Sequence, residues 1–174
     1  MAGYSGTPLW KKLGYKTGMS AYVDGRPKNY RSLLALPGDL HVKWLARPKS
    51  DIEFVHLFAT SASLLKRKLE SYRKKISPDG MIWVSWPKKS SEVRTNITED
   101  TIRDVALPMG LVDIKVCAVD EVWSGLKLVI RKEQRIWHRL LACAVDRASC
   151  LVIVVLPTTG KIPVGPTGSE PDWR

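Results

Sequence analysis

The chain of 174 residues is long enough for one domain with a real core, and a hydrophobic content of 44% with seven tryptophans excludes a disordered polymer. A net charge of +11, from 28 basic and 17 acidic residues, favours nucleic acid, anionic lipid or phosphorylated ligands as partners and says nothing of fold. Most of that excess sits before residue 134, so it belongs to the main body.

In chain order, Thr7-Pro8 before Leu9 to Leu13 and Gly14 predicts one capped helical turn, with proline at the start and glycine at the exit. Met19 to Val23 reads as a short strand ending at Asp24-Gly25-Arg26-Pro27. Tyr30, Leu33, Leu34 and Leu36 form the apolar stripe of a helix that Pro37-Gly38 stops. Leu40, Val42 and Trp44 alternate with His41 and Lys43, the pattern of a half-buried strand. Ile52 to Ala59 is more continuously apolar, as a strand covered on both faces should be.

Leu65, Leu69, Tyr72 and Ile76 then place one buried stripe on a helix, capped by Ser61 or Ser63 and ended by the turn Ser77-Pro78-Asp79-Gly80. On its outer side Lys66, Glu70 and Lys74 are spaced for a salt-bridged face. A strand from Met81 to Trp86 follows. Asn96 with Glu99, or alternatively Thr98, caps a helix carrying Ile102, Val105 and Ala106 and stopped at Pro108-Met109-Gly110. Val112 to Val119 and Leu126 to Arg131 read as an antiparallel pair.

This order predicts a three-layer α/β sheet, mostly parallel, with an antiparallel closing pair. The link Arg47 to Asp51 is too short for the usual crossover between adjacent parallel strands. It makes either a hairpin or a direct return to a non-adjacent position, and the second is preferred.

Helix, "SPDGMIWVSW", helix and two closing strands resemble the second half of class I S-adenosylmethionine-dependent methyltransferases. More closely, "KKLGYKTGM", "GMIWVSWPKK" and "DEVWSGLKLV" resemble an uncharacterised bacterial family known only as a domain of unknown function. That resemblance covers Gly3 to Lys132 and implies a reduced Rossmann-like sheet without supplying an activity. Residues 1–133 are thus expected to form the domain, 134–156 an atypical extension with a helix and a strand, and 157–174 a disordered Pro/Gly-rich tail.

In such a sheet ligands collect beyond the carboxyl ends of the parallel strands. Three loops qualify: Asp24 and Gly25, then Thr60 and Ser61, then Lys88, Lys89 and Ser90, with Trp123 where the final strands meet. The second opens a helix, whose free amides suit an anion, and the third offers ammonium and hydroxyl donors. The methyltransferases that the chain resembles usually leave their first strand through a glycine-rich turn. Here "VDGRPKNY" has one glycine beside arginine and proline, which obstructs close backbone approach to a cofactor.

No cofactor is therefore expected, with S-adenosylmethionine as the alternative. The expected role is non-catalytic binding of a small anionic ligand or a protein partner. The alternatives are a methyltransferase with an altered turn and a nucleic-acid binder. "KRKLESYRKK" lacks the interleaved aromatics that stack bases. His56, on an apolar strand, is expected to be a satisfied core histidine, and Cys143, Cys150 and His138 lack metal-ligand spacing. With no apolar leader in the first 13 residues and no membrane-spanning run, a reducing cytoplasm is expected.

Overall fold

The computed structural model describes residues 6–135; the expectations for the extension and tail beyond them lie outside the described residues. Six strands form one sheet in the order β2-β1-β3-β4-β6-β5. They are β1 (Ser20–Asp24), β2 (Lys43–Trp44), β3 (Ile52–Phe58), β4 (Ile76–Pro87), β5 (Leu111–Ala118) and β6 (Trp123–Ile130). β2, β1, β3 and β4 run parallel, and β6 lies antiparallel between β4 and β5. The link after β2 passes to the far side of β1 and not into a hairpin.

Helices cover both faces, which makes three layers. On one face α1 (Leu9–Leu13) and α2 (Tyr30–Leu34) pack Leu13, Tyr30 and Leu34 against Phe54, Phe58 and Trp83. On the other, α3 (Ala62–Arg73) and α4 (Glu99–Ala106) pack Leu65, Leu69, Tyr72, Ile102 and Ala106 against Val55, Leu57, Ile82 and Val84. Alternation along β3 sorts its residues between the two cores, so this strand reads as continuously apolar. The Trp83 indole N–H donates to the Leu13 carbonyl at 2.9 Å, which lets a large polar-tipped ring sit at 0% exposure.

Several local expectations are corrected. Leu40, Val42 and Trp44 alternate because they pack on the α1–α2 core, but only Lys43–Trp44 joins the ladder. α3 ends at Arg73, and Ile76 already pairs with Ile52 as the first residue of β4. Ser77 to Gly80 is an excursion inside that strand, since Ile52 to Phe54 spans what Ile76 to Met81 spans opposite. A Cβ on Gly80 would lie 2.6 Å from the Ile76 side chain and 2.9 Å from the Ile52 carbonyl oxygen, so the fold-back needs glycine. Lys66, Glu70 and Lys74 are exposed, and no ion pair links them.

Thr98, the alternative cap, starts α4: its hydroxyl accepts from the Thr101 N–H and the Thr101 hydroxyl accepts from the Thr98 N–H. Asn96 instead serves α3. Its Oδ1 accepts the Ala62 N–H at 2.8 Å while neither Ser61 nor Ser63 caps by its side chain. The Asn96 N–H donates to the Thr60 carbonyl, joined there by the Thr95 hydroxyl. We expect Asn96→Ala to lower stability by about 1 kcal/mol and Asn96→Asp to restore most of it, read from urea unfolding midpoints.

Candidate functional site

The carboxyl ends of β1, β3 and β4 share one edge of the sheet, and every residue expected at the site lies on it or on the β5–β6 turn beside it. The order reverses between β1 and β3, the usual place for a ligand crevice. At that point the Asp24 carboxylate is tied to α3. Asp24, the last residue of β1, accepts from the Lys68 ammonium at 2.8 Å and from the Tyr72 hydroxyl at 2.5 Å, both on α3. Burial works against its ionisation, but these two bonds, the Lys68 charge and the Gly25 N–H together hold the carboxyl below the usual aspartate range. Gly25 has φ of 67°, and a Cβ there would meet the Phe58 carbonyl oxygen at 2.8 Å. Only glycine allows this turn to lie on the end of β3.

Arg26, Pro27, Lys28, Tyr30 and Arg31 border an open surface depression of about 340 Å³. Arg26, Lys28 and Arg31 are exposed, and none forms an ion pair with a carboxylate among the described residues. Three unneutralised cations in six residues create a local positive field.

Thr60 and Ser61 sit at the end of β3, where Asn96 already takes the first α3 amide and Ser61 Oγ pairs with Ser63 Oγ at 2.9 Å. Lys88 follows β4 and is built into the neighbouring turn: its ammonium donates to the Asp120 carbonyl at 2.6 Å, and its N–H donates to the Val122 carbonyl. Asp120 holds the turn by accepting the Val122 and Trp123 N–H groups. Lys89 and Ser90 are exposed. Trp123 pairs with Pro87, and its ring meets Phe58 edge-on at 5.1 Å. Phe58 also meets Tyr30 at 5.5 Å, so it joins the β1 loop to the β6 end. The structure thus brings Asp24 and Gly25 against β3, and Lys88 against the turn that carries Trp123.

Beneath Tyr30 a polar chain crosses the α1–α2 core. Tyr15 and Tyr30 hydroxyls are 2.8 Å apart, Tyr30 reaches His56 Nδ1 at 2.7 Å, and His56 Nε2 reaches Ser85 Oγ at 2.7 Å. His56 is fully buried, and that burial lowers its pKa to about 3, so the ring is neutral with both nitrogens satisfied. Desolvation raises both tyrosine hydroxyls above their ordinary values. This histidine is a structural hub and not a base open to the edge. The described residues hold no group of three or more His, Cys, Asp or Glu placed to bind a metal, and no helix long and apolar enough to cross a membrane.

No protein-family model matches the sequence, and no curated protein is significantly similar to it. Among solved structures, an S-adenosylmethionine-dependent methyltransferase from Aquifex aeolicus is 12% identical, with a TM-score of 0.53 over 70% of this chain and 88% of that one. A possible exported protein from Bordetella parapertussis is 8% identical, with a TM-score of 0.52 over 71% of this chain and 66% of that one. At this identity the likeness concerns fold alone. The protein has a methyltransferase-like Rossmann fold.

Because His56 is held neutral in the folded state and titrates near 6.5 when unfolded, the unfolded chain binds more protons below that pH. Stability should fall as pH drops from about 6.5 toward 3, by up to about 1.4 kcal/mol per pH unit. Urea midpoints measured across that range check the slope, and Tyr30→Phe, which strips one ring nitrogen of its partner, should cost about 1–3 kcal/mol at neutral pH.

Proposed function

We propose that the protein binds a small anionic ligand, of the phosphate-bearing kind, at the β1–α2 loop. The observation that carries this reading is the depression bordered by Arg26, Lys28 and Arg31 with no carboxylate paired to them among the described residues. Two arginines offer fork-shaped donors that match phosphate oxygens. Exposed Lys89 and Ser90, farther along the same edge, add donors for a longer ligand. A binding role suits a loop whose neighbouring carboxylate, Asp24, and buried histidine, His56, are both committed to structural bonds.

The second reading is an S-adenosylmethionine-dependent methyltransferase with an altered cofactor turn, supported by the fold likeness to the Aquifex aeolicus enzyme. Charge weighs against it. S-adenosylmethionine carries a sulfonium and an ammonium against one carboxylate, and the loop beside it would be cationic. Asp24, the carboxylate best placed for a ribose, is held by Lys68 and Tyr72.

Isothermal titration calorimetry separates the two. The first reading expects a nucleoside phosphate to bind, and the double variant Arg26→Ala/Arg31→Ala to lose about tenfold or more in affinity with an unchanged melting temperature. Tight binding of S-adenosylmethionine and its demethylated product, indifferent to that double variant, establishes the second reading instead.

A further inference from the structure

β5 is the outer strand of the sheet and pairs only with β6 among the described residues. Alternation divides its side chains between the two faces. Val116 lies opposite Leu126, on the α3–α4 side, and is 44% exposed. Lys115 and Cys117 lie opposite Lys127 and Gly125, on the side of Trp83 and Ser85. Ile114, at the register shift before Lys115, is 59% exposed.

The register sets Lys115 directly across from Lys127, and like charges in that relation are unfavourable. Lys16, just beyond α1, acts on the same group. Burial first, then the charges of Lys115 and Lys16, push the Lys127 ammonium below the ordinary lysine value. None of these three lysines forms an ion pair with a carboxylate among the described residues. A half-buried ammonium directly across from another carries an electrostatic cost that an incoming anion would remove.

Two features decide the class of partner. A strand edge that is unpaired among the described residues offers backbone N–H and C=O groups that an extended peptide matches and a nucleic acid does not. The lysines also oppose a second copy of this chain, whose β5 would add another set of positive charges to the same face. We infer that β5 is a docking edge for an extended acidic segment of a protein partner. The segment adds as a further strand, placing alternate carboxylates toward Lys115, Lys127 and Lys16 and the intervening apolar side chains beside Val116.

The test is fluorescence anisotropy on the full chain with a labelled synthetic peptide alternating glutamate and valine. Binding should weaken with added salt and disappear when lysine replaces glutamate in the peptide. It should weaken about tenfold or more with Lys115→Glu, and vanish when the peptide amides facing β5 are N-methylated. Lys127→Met should raise the melting temperature while weakening the peptide, a split that a merely structural lysine would not give. Equal affinity for the glutamate and lysine peptides, or indifference to N-methylation, overturns the inference. So does tighter binding of a single-stranded oligonucleotide that Lys115→Glu abolishes, because the lysines would then serve nucleic acid.

Discussion

The carboxyl end of β1 is tied to the elements on either side of it, Asp24 to α3 and Gly25 to the end of β3. From one face, α3 reaches Asp24 with an ammonium and a phenol. From the plane of the sheet, Gly25 sits against the Phe58 carbonyl at a separation that any side chain would violate. A carboxylate with two side-chain donors and a backbone N–H is stabilised as the anion. The loop that follows carries the exposed Arg26, Lys28 and Arg31. A scaffold shared with methyl-transferring enzymes thus presents a cationic depression beside its switch point.

The same edge is stiffened from below by the chain of hydroxyls and imidazole from Tyr15 to Ser85. Tyr30 belongs to both: it is among the residues that border the depression, and its hydroxyl enters the buried network. Phe58 stacks on His56 at 4.4 Å and meets Trp123, so aromatic packing carries the rigidity across to the β6 end. Every buried side-chain polar atom among the described residues has a partner, which is what permits a histidine and a serine at 0% exposure in an apolar layer.

The layer architecture was legible because it rests on periodicity, which survives in a single sequence: the α3 stripe of Leu65, Leu69 and Tyr72, and the unbroken run of β3. Chain length after β2 excluded the usual crossover and left a hairpin or a direct return to a non-adjacent position; the second, preferred route is the one the sheet order shows. Misreadings arose where one local signal serves two structures. Ser77-Pro78-Asp79-Gly80 has turn chemistry whether it ends a helix or interrupts a strand, and only the pairing of Ile52 with Ile76 decides. Asn96 matches a cap for the helix beside it, yet its bond goes to α3, 34 residues away in sequence. Topology sets the expected site residues along one edge of the sheet. The commitment of Asp24 to Lys68 and Tyr72, and of Lys88 to the Asp120 turn, required the fold. The three cations after β1 were visible as a cluster in "GRPKNYR" and went unweighed because the turn was read for its glycines.

The central claim is that Asp24 ties β1 to α3 and takes no part in holding a ligand. The most direct measurement is Asp24→Asn, followed by thermal unfolding and by calorimetric titration of a nucleoside phosphate and of S-adenosylmethionine. The account predicts a melting temperature lowered by several degrees with phosphate-ligand affinity retained, because the lost charge served Lys68 and Tyr72. An unchanged melting temperature with lost affinity for either ligand would contradict it and return Asp24 to the binding site.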